Sequence, residues 1–434
     1  MNNTATTHLK YENTLDFAKQ QDAIDPLKKY RDQFYFPQLN GRDVVYFAGN
    51  YLGLQPKSAQ DHVLNQMEDW ASFGYQANQY ARTPWDTYHT LFSSPLAKIT
   101  GALPEEIIVM NQLSINLHFM LVSFYRPDKK RYKIICEKDA FPSDQYAMES
   151  HAHLHGFDPE DAIIMVAPRE GEYCIHHEDI LDAIEKNKDS LALVLISGAN
   201  YYTGQIFDMQ EIAAATHKAG ALVGFDLAHA IGNVKLNLHD WNVDFAVWCS
   251  YKYLNSGPGG IGGIFVHERH VKDLSVPRFA GRLGVDPVLR PKREKGFIPL
   301  PTAEGWQLGS LPILLLAAHK AALDQFEEAG MDALVAKSEK LSGYLEFVIE
   351  EINNITKQPF EIITPRNKKQ RGCQLSIAAH GRNKDFFNQL LQEGVITAWF
   401  EPNVIRFAPA PFYNSFEDVF RFGQILKELV ATKV

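Results

Sequence analysis

A series of short apolar runs, each ending on a small, polar or charged residue, constrains this chain more than any other feature. The runs cover residues 106–110, 132–136, 191–196, 221–225, 244–249 and 263–267. Leu191-Ala192-Leu193-Val194-Leu195-Ile196 is almost unbroken, the pattern of a strand covered on both faces of a parallel sheet. Helical stretches lie between the runs, and the one over 209–219 stops at Gly220, a residue suited to a left-handed helix end. Alternating strands and helices predict a doubly wound α/β domain. Such sheets place functional residues at the carboxyl ends of their strands. Ser114, Asp144, Ser197, Asp226 and Lys252 all fall there.

Two of those ends carry charge. Asp226-Leu227-Ala228-His229 closes one run and Ser250-Tyr251-Lys252-Tyr253-Leu254-Asn255 closes another. Burying a carboxylate and a lysine is costly unless both have partners. An ordinary Asp–Lys ion pair is one answer. Pyridoxal phosphate is the other, because it needs a lysine to hold its aldehyde as a Schiff base and an acid to keep its ring nitrogen protonated. The flanking pieces favour the cofactor. A glycine-rich tail over 257–263 follows the lysine and lets backbone approach closely. At 111–116 a strand enters a helix, where Ser114 either helps bind an anion or is a plain N-cap. Phe141 either stacks on a flat ring or belongs to the core. Arg406, before Pro409-Ala410-Pro411, either clamps a substrate carboxylate or makes a surface ion pair. His151 and His155 stand four residues apart, but nothing completes a metal set at usable spacing, so no metal site is expected.

The 434 residues are 45% hydrophobic and 22% charged, enough for two domains with a large core. A net charge of -9 leaves no electrostatic footprint for nucleic acid. Residues 1–8 lack an apolar signal core, and no run is long enough to span a bilayer. The widely spaced Cys136, Cys174, Cys249 and Cys373 suit a reducing, cytoplasmic setting. The expected division is an N-terminal arm over 1–45, a large cofactor domain over 46–311 and a small α+β domain over 312–434. In the last, 312–329, 385–393 and 415–429 read as helices, and 372–377 and 404–407 as strands. Residues 44–48 read as a strand, 58–71 as a helix, and 74–84 as a polar loop carrying Arg82. The basic stretch 277–301, with Arg278, Arg282, Arg290, Lys292, Arg293 and Lys295, reads as a mobile loop, a subunit contact or a solvated face.

Over nearly its full length the chain resembles kynureninase. The matching stretches include Gly49-Asn50, Leu52-Gly53-Leu54-Gln55-Pro56-Lys57, Phe141-Pro142-Ser143-Asp144, Tyr202-Thr203-Gly204-Gln205, residues 223–233 and 248–255, and Arg371-Gly372-Cys373-Gln374-Leu375. The resemblance implies the fold type I of pyridoxal phosphate enzymes, with a mostly parallel seven-stranded sheet and a homodimer sharing its sites. It implies hydrolysis of the β,γ carbon–carbon bond of L-kynurenine or 3-hydroxykynurenine to an anthranilate and L-alanine, a step of tryptophan catabolism linked to NAD biosynthesis. Lys252 would form the Schiff base, Asp226 pair with the ring nitrogen, Phe141 stack on the ring and Asp144 lie beside it. Leu113 and Ser114 would meet the phosphate. Ser197, His229 and Tyr251 would complete the cradle, with Tyr251 also a proton donor. Arg406 would hold the substrate carboxylate.

The departures cluster on the substrate side. Tyr51 stands where the family usually has Ser, and Asn78 where a His is common. Gly281-Arg282-Leu283-Gly284-Val285 stands where Gly, two aromatics, Gly and His are usual, so Leu283 replaces a Trp near the phosphate and substrate. Ser310 keeps a hydroxyl able to reach the phosphate from the partner subunit. Ala398 and Phe400 replace polar or charged residues. Lost hydrogen-bonding partners change discrimination by large factors. The alternative expectation is therefore a family member acting on another γ-keto or β-substituted amino acid. A desulfurase needs a mobile acceptor cysteine, and Cys373 lies in a strand-like run. A non-catalytic cofactor-binding protein is disfavoured by the intact Lys252, Asp226 and Arg406.

Overall fold

The computed structural model describes residues 9–292 and 296–431. The residues 1–8 read for a signal core, and Arg293 and Lys295 of the basic stretch, lie outside the described residues. The apolar runs form a seven-stranded sheet: β1 (Ile107–Val109), β2 (Lys133–Glu137), β3 (Ile163–Val166), β4 (Leu191–Ser197), β5 (Leu222–Asp226), β6 (Phe245–Trp248) and β7 (Gly263–Val266). The spatial order is β1-β7-β6-β5-β4-β2-β3. Only β7 runs antiparallel to its neighbours, β1 and β6. The doubly wound, mostly parallel sheet expected from the sequence is therefore present.

Burial explains the composition of these strands. Every residue of β6 and β7 is buried, and β4 alternates only at Ala192 and Ser197. Apolar clusters lie on both faces of the sheet, one with Val194, Ile196, Val223 and Phe225, the other with Leu193, Leu195, Phe245 and Val247. Gly224 in β5 is required by packing, since a Cβ there would lie 2.1 Å from the Phe245 ring. The sequence reading passed over β3, an edge strand whose Met165 is half exposed.

A second, antiparallel sheet holds β8 (Glu361–Ile362), β9 (Leu375–Ala378), β10 (Ala398–Phe400) and β11 (Val404–Phe407), in the order β8-β9-β11-β10. The helices Met331–Asn353 and Phe416–Ala431 pack against it through Leu341, Leu345, Val348, Val419 and Phe422. Phe17, Ala18, Val45 and Phe47 join the same cluster. The expected strand over 44–48 is only Val45–Tyr46, which pairs in parallel with Val395–Ile396. The expected strand over 372–377 begins only at Leu375, because Cys373 N–H is taken by Asn233 Oδ1 at 2.9 Å. The expected loop over 74–84 is largely helical turns, Gly74–Gln76 and Ala77–Tyr80, anchored by fully buried Ala77. Arg82 there pairs with Glu68 on the preceding helix. Among the described residues no helix is long and apolar enough to cross a membrane.

Candidate active site

The carboxyl ends of β2, β4, β5 and β6 converge on one cavity. Its lining includes Leu113, Ser114, Glu137, Phe141, Asp144, Ser197, Tyr201, Asp226, His229, Cys249, Tyr251 and Lys252. Each position follows from local structure. Leu113 and Ser114 open the helix Leu113–Phe124, whose first-turn N–H groups have no intrahelical partner. The turn before it is held by Asn111, at φ 47, and by Asn116, whose Nδ2 donates to Met110 O at 2.8 Å. Phe141 precedes the helix Pro142–Leu154, so Asp144 lies in its first turn. The loop carrying Lys252 is gripped by the 49–54 turn, where Gly53 N–H donates to Tyr251 O at 2.8 Å. A Cβ at Gly53 would lie 2.5 Å from Lys252 O, so the grip requires glycine.

Burial sets the electrostatics of this cavity. Lys252 Nζ lies 2.9 Å from His229 Nε2. Burial, then the charges of Lys252 and Arg406, hold His229 well below its ordinary pKa, so its ring is neutral. Asp226 Oδ1 accepts Ala228 N–H at 2.7 Å. Burial and the facing Asp226 push Asp144 well above the carboxylate range. Burial also raises Glu137, whose oxygens accept the Ser197 N–H at 3.1 and 3.3 Å. Asp144 Oδ1, Ser197 Oγ and His229 Nδ1 are buried without a hydrogen-bond partner. Each such orphan costs about 1–3 kcal/mol. A lysine amine, a buried acid cluster, an aromatic wall and a helix N-terminus with a hydroxyl fit pyridoxal phosphate, and its polar substituents suit these orphans.

Arg406 lies on β11 beside this cavity, buried rather than on the surface. Its Nη1 donates to Tyr201 O at 2.6 Å, and Nε has no partner. Burial pushes its guanidinium down to about 10. Phe141 is 43% exposed, and its ring centre is 5.7 Å from Lys252 Nζ. Three of the remaining candidates lie elsewhere. Asn78, Leu283 and Ser310 line a separate hollow with Trp70, Trp85 and Arg282. Tyr51 is 66% exposed but stands at the mouth of the site, close enough to act electrostatically on Tyr251 and Arg406. His151 faces His118 across 3.1 Å rather than sharing a site with His155. Glu106, His239 and His267 come within 4.8 Å of one another at their ligand atoms. The two imidazoles stack at 14°, and Glu106 is engaged by the N–H groups of Leu103 and Glu268.

Glu137 and Tyr201 are lining residues the sequence reading did not name as candidates. The apolar run read over 132–136 stops one residue short of Glu137. Tyr201 sat in the quoted 197–204 turn, but its sequence position carries no sign that it faces the cavity.

A kynureninase from Flavobacterium psychrophilum is 55% identical over 418 residues, covering 96% of this chain and 98% of its own. The chain belongs to the kynureninase family. The kynureninase of Myxococcus xanthus is 49% identical over 97% of this chain and 99% of its own. The kynureninase C-terminal domain family matches residues 334–426. Among solved structures, a cysteine desulfurase from Thermococcus onnurineus superposes with a TM-score of 0.72 at 21% identity, covering 90% of this chain and 95% of that one. A variant of the lyase C-DES, with glycine covalently linked to its pyridoxal phosphate, gives 0.76 at 15% identity over 92% and 98%. These likenesses establish the kynureninase chain as pyridoxal phosphate enzyme fold type I. They do not extend to desulfurase chemistry here: Cys373 is fully buried and burial pushes its thiol up to about 12.

Proposed function

We propose that this kynureninase-family enzyme hydrolyses L-kynurenine or 3-hydroxykynurenine to an anthranilate and L-alanine, with pyridoxal phosphate as cofactor. The observation that carries the reading is the single cavity in which Lys252, His229, Asp226 and Asp144 converge, in a chain 55% identical to a kynureninase. When bound, pyridoxal phosphate supplies an aldehyde for the substrate amine and a ring that accepts electrons from the α-carbon. Lys252 would hold the aldehyde of the cofactor, and its amine is the base placed to take up the α-proton. His229 Nε2, 2.9 Å away, receives a hydrogen bond from Lys252 Nζ and orients it. Asp226 would hold the ring nitrogen proton, with Asp144, whose carboxyl burial and the facing Asp226 push up, beside it. Leu113 and Ser114 would hold the phosphate and Phe141 would cover the ring. Arg406 binds the substrate carboxylate through its free edge. Tyr251, whose phenol burial pushes well above its ordinary pKa, keeps its proton and donates it as water adds to the γ-carbonyl.

We read residues 1–45 as an arm docked on the C-terminal domain, 46–311 as the cofactor domain and 312–434 as the small domain. The enzyme is read as a cytoplasmic homodimer that serves tryptophan catabolism and NAD biosynthesis. Exposed Trp70, Tyr75, Tyr80 and Leu314 near the Asn78–Leu283–Ser310 hollow support a subunit contact there. In that dimer Asn78, Leu283 and Ser310 would serve the partner's site. Tyr51 and Leu283, at positions where the family has Ser and Trp, favour a second reading: a retuned pocket for another γ-keto amino acid. Anthranilate fluorescence from L-kynurenine with added cofactor tests both. Lysine-dependent signal supports the first reading; cofactor-loaded protein with no signal supports the second.

A further inference from the structure

Arg406 is a buried cation, and no carboxylate within ion-pair distance of it is found among the described residues. What surrounds it instead is aromatic. Its guanidinium carbon lies 4.0 Å from the centre of the Phe400 ring. The sheet register explains this contact. Ala398 on β10 is the direct cross-strand partner of Arg406, and Phe400, two residues on, lies on the same face as its diagonal neighbour. The small Ala398 leaves the guanidinium free to lie over Phe400. The Phe400 ring is itself held, 5.7 Å from Tyr201 and 6.4 Å from Tyr202. One guanidinium edge is pinned by Nη1 to Tyr201 O, a carbonyl that also accepts from Gln374 Nε2 at 3.1 Å. Nε has no partner.

We propose that Phe400 is a positioning residue for substrate binding, holding the Arg406 guanidinium so that its free edge presents two parallel donors to the substrate carboxylate. A ring face attracts the delocalised cation without consuming any of its N–H donors. A carboxylate at that place would take up two of its five N–H donors and draw the guanidinium toward itself. The aromatic platform and the Tyr201 carbonyl together fix both the plane and the rotation of the guanidinium, which bidentate recognition requires. Phe400 touches no reacting atom in this scheme and acts only through Arg406.

The inference rests on the proposed amino acid substrate, so its test separates the two. Phe400→Leu, Phe400→Met and Phe400→Tyr are compared with the parent holoenzyme. The readouts are KM and kcat for L-kynurenine, competitive binding of L-alanine and of L-alaninol, which lacks the carboxylate, and the unfolding midpoint. Leu and Met are expected to raise KM and weaken L-alanine about tenfold, leaving kcat within about threefold and L-alaninol unchanged. Tyr is expected to restore parent values. Equal weakening of L-alanine and L-alaninol, or no change in either, overturns the proposal. If Leu fails to fold, Met and Tyr decide between the same outcomes. Should the parent turn over no L-kynurenine, the substrate reading fails, while the L-alanine to L-alaninol ratio still decides the role of Phe400.

Discussion

Asp244 lies at the amino end of β6 and Lys252 follows its carboxyl end, and the buried carboxyls at these two edges of one sheet are treated in opposite ways. Asp244 accepts from Val223 N–H at 2.7 Å, His217 Nε2 at 2.9 Å and His270 Nε2 at 2.7 Å, and pairs with Arg269. Burial works to raise its pKa, but these bonds and the Arg269 charge hold it below the usual carboxylate range. At the carboxyl edge Asp144 and Glu137 are just as buried, face another carboxyl, and are pushed up. The amino edge is a completed ionic network that stabilises the fold. The carboxyl edge keeps its buried acids raised and unpaired, an arrangement that a cationic ring would offset.

The largest effect that would sharpen this contrast is at Lys252. Lys252→Ala is expected to lower kcat for L-kynurenine by about 10³-fold or more while leaving the unfolding midpoint in place; residual turnover near the parent level would break the assignment of the carboxyl edge to chemistry. Asp244→Ala should do the reverse. It removes the anion from a buried network and should cost about 3 kcal/mol in denaturant unfolding, with kcat unchanged in protein that remains folded. A fall in kcat without loss of stability would erase the distinction between the edges.

Acid–base linkage separates the edges further. The pKa of Asp244 is depressed on folding, so its contribution is present above the unfolded value near about 4 and lost as pH falls through the folded value. Asp144 is raised, so the cofactor-free protein is more stable below about pH 4 on its account and loses that stability as pH rises through the folded value. Asp144→Asn should therefore stabilise cofactor-free protein by about 1 kcal/mol at neutral pH and flatten that decline, measured as unfolding free energy against pH. A steeper decline in the variant would contradict it. An effect of similar size is expected at Ser197, whose hydroxyl is buried without a partner. Ser197→Ala should stabilise cofactor-free protein by about 1 kcal/mol yet weaken cofactor retention about tenfold, read by denaturant unfolding, dialysis and absorbance.

Much of this was legible before any coordinates. Apolar runs with period and length typical of buried strands exposed the sheet, and residues following the runs 106–110, 191–196, 221–225 and 244–249 line the cavity, whereas the antiparallel run 263–267 ends at the opposite edge beside Asp244. Helix Ile313–Ala329 lies within a residue of its expected start. The helix Met331–Asn353 was not read, because it starts directly after Gly330, with no separating loop to mark it. Arg406 remained open between a surface pair and a clamp, since a strand pattern does not say which face meets another domain.

The sequence alone determined the strand–helix alternation and which residues stand at the carboxyl ends of the strands, because both depend on local spacing and on which side chains prefer burial. Tertiary structure decided the rest. It carried Val45–Tyr46 across the chain to pair with Val395–Ile396, put Glu137 behind Ser197, and laid Arg406 over Phe400 against the carbonyl of Tyr201. Apart from Arg406 on Phe400, which neighbouring strands bring together, those contacts join segments far apart in the chain, and their energies come from desolvation and directional hydrogen bonds that exist only once the layers have packed.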